Sequence, residues 1–115
     1  MIRLPWPPKQ SSPNGPQGNY QGKAAAGKKY KNACLLECIA QKVPKMKSVA
    51  VVEITFRPPS ERRYDLDNAL SKAKRGMDAV AERIGVDDAD WQEYRLKRGP
   101  KEKGGAIYIN IKETT

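Results

Sequence analysis

Residues 65–88 read DLDNALSKAKRGMDAVAERIGVDD, and the fold turns on them. Leu66, Leu70, Ala73, Met77, Val80 and Ile84 recur at spacings of 4, 3, 4, 3 and 4, the interval that lines one side of a helix with apolar groups. The spacing predicts a helix from about Asp67 to Ile84, stopped by Gly85, a residue that takes the left-handed conformation of a helix end at little cost. Upstream, Ala50, Val52, Ile54 and Phe56 alternate with Val49, Val51, Glu53 and Thr55, which predicts a strand over Ser48–Arg57 closed by Pro58-Pro59. Downstream, Trp91–Arg98 and Ala106–Lys112 read as two more strands, the second with Ile107, Ile109 and Ile111 on one face. Gly99-Pro100 and Gly104-Gly105 between them predict an antiparallel hairpin.

Toward the N-terminus, Tyr30, Ala33, Cys34, Leu36 or Cys38 and Ala40 recur at helical spacings, predicting a helix from Lys23 to about Lys42, ended by Pro44. Ile2–Trp6 reads as a short opening strand stopped by Pro7-Pro8. Residues 9–22, rich in Ser, Pro, Gly, Asn and Gln, carry no periodicity and are expected to form a mobile loop. The whole predicts an α+β fold: a single small domain, residues 1–115, with one mixed β-sheet and two covering α-helices.

With 22 Lys and Arg against 13 Asp and Glu, the chain has a net charge of +9. A compact domain this basic attracts polyanions, nucleic acid first among them. A membrane surface is a poor partner, because no basic amphipathic stretch carries a Trp/Phe/Leu face, and no apolar run is long enough to span a bilayer. A cytoplasmic protein is expected. Two cysteines, Cys34 and Cys38, and no His fall short of a zinc ligand set; buried free thiols are expected.

The carboxylates are few and concentrated around the second helix. Asp65, Asp67 and Asn68 stand where a loop enters it, and Asp87, Asp88 and Asp90 follow its end. Neighbouring carboxylates repel unless a cation lies between them. Oxygen ligands suit a hard ion such as Mg²⁺, which keeps waters and binds a few carboxylates plus substrate phosphate; Mn²⁺ is a natural substitute. The structural reading is that Asp65 or Asp67 caps the helix and Asp87-Asp88 forms a turn. Asp67, Ser71, Lys74 and Asp78, at i, i+4, i+7 and i+11, share one helix face, so Lys74 is a candidate for the phosphate, against the plainer alternative of a surface pair with Asp78. Cations flank the acidic residues in three groups: Lys23, Lys28 and Lys29; Arg62 and Arg63; and Arg95, Lys97, Arg98, Lys101 and Lys103. They are candidate contacts to a nucleic-acid backbone.

Leu4-Pro5-Trp6-Pro7-Pro8, Arg62-Arg63-Tyr64-Asp65-Leu66-Asp67-Asn68, Asp78-Ala79, Gly85-Val86-Asp87-Asp88, Tyr94-Arg95 and Lys103-Gly104-Gly105 follow one another in the order found in RusA-type Holliday junction resolvases. The chain resembles that family over nearly its whole length. The resemblance implies a homodimeric α+β endonuclease that binds four-way DNA junctions and nicks opposed strands symmetrically with Mg²⁺, in DNA recombination and repair. It implies catalytic, metal-holding roles for Asp65, Asp67 and Asp88, and a lysine on the helix. The family is frequent in prophages. No small-molecule cofactor is expected. One departure stands out: three residues after Asn68, where the family pattern has Lys, this chain has Ser71. Counting back from Asp78 selects Lys74, with Lys72 as second choice. Asn68 is expected to cap the helix or orient Asp67. The alternative from another class is a non-catalytic basic nucleic-acid-binding module of a replication or recombination assembly.

Overall fold

A computed structural model of the chain describes residues 1–8 and 20–114, and of residues 20–23 the backbone alone. The elements are β1 (Ile2–Pro5), α1 (Tyr20–Ala40), β2 (Val51–Arg57), α2 (Leu66–Lys72), α3 (Lys74–Ile84), a short 3-10 turn (Asp88–Asp90), β3 (Glu93–Arg98) and β4 (Ala106–Lys112). Among the described residues they form an α+β fold with one mixed four-stranded sheet, in the order β1-β4-β2-β3.

The sheet is two-faced, as the alternation in β2 predicts. Ile54 and Ile2 both pair with Ile109, Leu4 and Phe56 with Ile107, and all are buried. Their neighbours Arg3, Glu53, Thr55, Tyr108 and Asn110 fall on the opposite phase. There Arg3 and Arg57 both pair with Glu102, at 2.7 and 3.0 Å. The core lies on the apolar face, under α1 and α3. α1 contributes Tyr30, Cys34 and Cys38, one turn apart and buried. The Tyr30 hydroxyl donates to the Pro5 carbonyl at 2.7 Å, tying α1 to β1. Both cysteines are free and buried, and burial pushes the Cys34 thiol up to about 12. α3 meets α1 at Gly76, where a Cβ would stand 3.2 Å from the Tyr30 ring and 3.3 Å from Cys34 Sγ, so close an approach that only hydrogen fits easily.

Three expectations are corrected. First, β3 and β4 do not form a hairpin. β3 pairs with β2 in parallel, and β4 lies between β1 and β2, antiparallel to both. Burial decides the order: Ile107 and Ile109 of β4 are fully buried and need a central place, whereas β3 exposes all but Leu96 and suits an edge. A parallel β2–β3 pair needs a crossover connection, and α2 with α3 supplies it. The chain then passes the end of β2, where the Glu102 N–H donates to the Pro58 carbonyl at 2.9 Å. It turns through Gly105 at φ 73°, where a Cβ would meet Trp6 and Pro59 at under 3 Å.

Second, the long helix is two. Ala73, fully buried at φ −89° and ψ 1°, shares its N–H between the Ala69 and Leu70 carbonyls, and its own carbonyl accepts from Gly76 at 2.8 Å. The apolar stripe holds in α3, where Met77, Val80 and Ile84 are fully buried, and loosens in α2, where Leu66 and Leu70 are half-buried. Gly85 ends α3 at φ 80°, as expected. Third, α1 starts at Tyr20 rather than Lys23, so residues 20–22 belong to it and not to the predicted loop. The rest of that loop, residues 9–19, lies outside the described residues.

Candidate functional site

α2 separates two depressions. Asp65, Asn68, Ala69 and Lys72, spaced 3, 1 and 3, face the first: a groove of about 990 Å³ completed by Trp6, Pro7, Arg62, Arg63, Tyr64 and Arg98. Leu70 and Ser71 face the second, which Lys74, Asp88, Ala89 and Tyr94 complete. Asp67, three and four residues before Leu70 and Ser71, stands on this second side.

Asp65 takes the N-cap position of α2, with extended backbone, but its side chain makes no capping hydrogen bond. The cap is therefore not Asn68, which sits in the first turn; its backbone N–H donates to Asp67 Oδ1 at 3.0 Å. Asp65 and Asp67 are both exposed. Their negative charge suits the helix start.

Asp87 and Asp88 divide the labour. Asp87 accepts from the Ala89 N–H at 3.0 Å and shapes the turn. The turn is anchored beneath by buried Trp91, whose indole N–H donates to the Val86 carbonyl at 3.1 Å. Asp88 is thereby aimed back at α3, where it pairs with Lys74. Lys74 also donates to Asp78 at 2.9 Å. The Lys74 hydrogen bond holds the Asp88 carboxyl below the usual range, with burial opposing it. For Lys74, partial burial works against the charge, but Asp88 and Asp78 together outweigh it and raise its pKa. The neighbouring Tyr94 hydroxyl is raised by burial and then by the Asp88 charge.

The structure thus joins Lys74 to Asp88, fourteen residues apart, and gathers Asp65, Asn68, Arg62, Arg63, Lys72 and Arg98 round one groove. It does not bring the three aspartates into one cluster. Among the described residues, no three acidic or Cys/His side chains lie close enough to hold a metal ion between them. The donor chemistry is nevertheless that of a hard cation, since the candidate ligands are carboxylates and the chain has no His.

The remaining cations scatter. Arg98 spreads over the Tyr64 ring at 4.7 Å and donates to the Tyr64 carbonyl at 3.0 Å, tying the end of β3 to the lead-in of α2. Lys97 pairs with Glu53 at 3.2 Å, Arg95 with Glu93 at 2.6 Å and Lys101 with Glu61 at 3.7 Å. Lys28, Lys29 and Lys103 are exposed. The Lys23 side chain lies outside the described residues. Sequence reasoning passed over Trp6 and Tyr64 as walls of the groove; an aromatic residue set between Arg63 and Asp65 was the available signal.

Two curated relatives span the chain almost end to end. The crossover junction endodeoxyribonuclease RusA of Escherichia coli is 32% identical over 121 residues, 97% of this chain and 92% of that protein. The protein of the same name from Shigella sonnei is 34% identical over 124 residues, with the same coverage. The chain belongs to the RusA family. An uncharacterized protein of Xylella fastidiosa is 28% identical over 116 residues, 96% of this chain and 74% of that one. No family model matches. Within this RusA-family chain, Lys74 is the lysine on Asp88, and Lys72 stands on the other side of α2, its Nζ 6.0 Å from the centre of the Trp6 ring. No helix among the described residues is long and apolar enough to cross a membrane.

Proposed function

We propose that the chain is a structure-specific endonuclease that resolves four-way DNA junctions by paired symmetric nicks, in recombination and repair. It acts as a homodimer with Mg²⁺, for which Mn²⁺ substitutes. What supports this most, beside family membership, is the Lys74–Asp88 pair, which sets the helix lysine against a motif carboxylate.

Mg²⁺ takes one or two carboxylates and leaves the rest of its shell to water and phosphate, so a complete protein cage is not required. Asp65, Asp67 and Asp88 are the carboxylates that would hold it. When bound, the ion supplies positive charge to the phosphodiester and acidifies an attacking water. The chain's own groups do the rest. Arg62, Arg63, Lys72 and Arg98 draw the DNA backbone to α2. Lys74, on the Asp88 side of α2, would offset the charge that develops on the phosphodiester. Two copies related by a two-fold axis present two such sites to opposed strands.

The deciding experiment is nicking of a synthetic four-way junction. Asp67→Asn should lose about a hundredfold or more in rate, since metal-supplied charge is worth several kcal/mol, while junction binding persists. Wild-type cutting by this variant would overturn the assignment. Tight junction binding by the wild-type protein with no nicked product in Mg²⁺ or Mn²⁺ would favour a non-catalytic binding module.

A further inference from the structure

We infer that β3 is the strand through which two copies of the chain join: it pairs antiparallel with the partner's β3 about Tyr94, and the two four-stranded sheets become one. The inference deepens the proposed function and rests on it, for a two-fold dimer is part of that reading and β3 is the surface that makes it.

The two edges of the sheet differ. At the β1 edge the Gln41 side chain stands where a further strand would lie. Its Oε1 accepts from the Arg3 N–H at 2.9 Å, and its Nε2 donates to the Arg3 carbonyl at 2.7 Å. The amide thus takes up both backbone groups that a newcomer would need, which guards the edge against strand addition. β3 is the last strand on the other side. In its parallel register with β2, Tyr94 lies beside Val52, and the Gln92 N–H donates to the Val49 carbonyl at 3.4 Å. The even-numbered residues of β3 therefore spend their backbone groups on β2. Glu93, Arg95 and Lys97 turn theirs outward, where no further strand lies among the described residues.

Antiparallel pairing joins outward residues to outward residues, and charge chooses the register. Centred on Tyr94, it sets Glu93 opposite the partner's Arg95 twice over. Glu93 already pairs with Arg95 of its own chain at 2.6 Å, so four charges alternate round the axis. Centred on Arg95, two arginines would meet; centred on Leu96, Arg95 would face Lys97. Like charges directly opposite destabilise a pair of strands. The other face supplies apolar surface. Tyr94 shares the phase of buried Val52 yet is 38% exposed, its ring 5.7 Å from that of Trp91. Beside it opens a depression of about 460 Å³ whose walls include Leu70 and Ala89, with room for the partner's Tyr94. The axis stands perpendicular to the sheet, so both α2 helices lie on one face and both sites address one junction.

Sedimentation of the protein alone, at micromolar concentrations, is the direct reading. The wild type should be a dimer. Arg95→Pro removes one outward N–H from each copy and leaves the β2 ladder whole, since an edge strand tolerates Pro on its open side. It should weaken dimerisation by about tenfold or more, two hydrogen bonds being lost across the axis. Glu93→Lys and Arg95→Glu should each weaken it several-fold, and the two together should restore it. Tyr94→Cys sets two thiols across the axis within disulfide reach and should give a crosslinked dimer on mild oxidation, while Cys34 and Cys38 stay buried. A monomeric wild type, an unchanged dimer in Arg95→Pro, or a charge swap without rescue would overturn the inference. Should Arg95→Pro fail to fold, the charge swap and the crosslink decide. Junction nicking is followed in parallel. Nicking by a protein that dimerises through another surface sinks the β3 pairing alone, and a β3 dimer without nicked product upholds the pairing and sinks the enzymatic reading.

Discussion

The two sides of α2 handle charge in opposite ways. On the Asp65 side, four cations surround one carboxylate, and two of them lean on aromatic rings. On the Asp88 side, one ammonium is divided between two carboxylates and the balance is negative. The first side carries an excess of positive charge. A single helix of seven residues thus separates a predominantly basic groove from a lysine held between two carboxylates.

The comparison can be broken at either side. The largest effect is expected on the acidic one, with Asp67→Asn as above. Next, Lys74→Ala should slow nicking by about a hundredfold, the lower end of the loss seen when one donor to a charged transition state is removed, with junction affinity nearly unchanged. Lys72→Ala should do the reverse. It should keep the cutting rate at saturation but weaken binding, and lower the slope of log K against log salt by about 0.9. A reversed ranking of the two lysines, read from single-turnover rates and salt titrations, would exchange their sides.

Two smaller effects concern stability. Gly76→Val should cost about 1–3 kcal/mol in denaturant unfolding by overpacking the α1–α3 contact, and it tests the scaffold behind both sides. The Lys74–Asp88 pair is half exposed, with Lys74 at 54% and Asp88 at 21%, so it contributes at most about 1 kcal/mol. Asp88 is held below its usual pKa by Lys74. Its contribution is therefore present above the ordinary carboxylate range and disappears as the pH falls through the folded value. The stability gap between wild type and Lys74→Met should be visible at pH 7 and vanish in strong acid. A gap that widens in acid would contradict the pairing.

Much of this was written in the residue pattern. Alternation in β2 and the buried isoleucines of β4 predicted two strands and their inward faces, because a strand's two-residue period depends only on which groups avoid water. Gly85 marked the end of α3 for a purely local reason, a backbone angle few other residues accept. The acidic motifs and the cations beside them were legible as chemistry, since charge of one sign gathered in one stretch is visible without a fold. Two things were not. The parallel pairing of β3 with β2 and the break at Ala73 each depend on groups distant in sequence. An edge strand and a hairpin strand share the same local alternation, so only competition for the buried centre of the sheet decided which neighbour β3 took. Ala73 carries no Pro or Gly to announce a break; it yields because α2 and α3 pack against different partners. That break, with the turn anchored under Trp91, sets Lys74 against Asp88 and leaves Lys72 over Trp6. Sequence determined which residues could do chemistry, through their charge and reach. Tertiary packing decided which of them meet, because distance in space is set by the whole core rather than by any one stretch of chain.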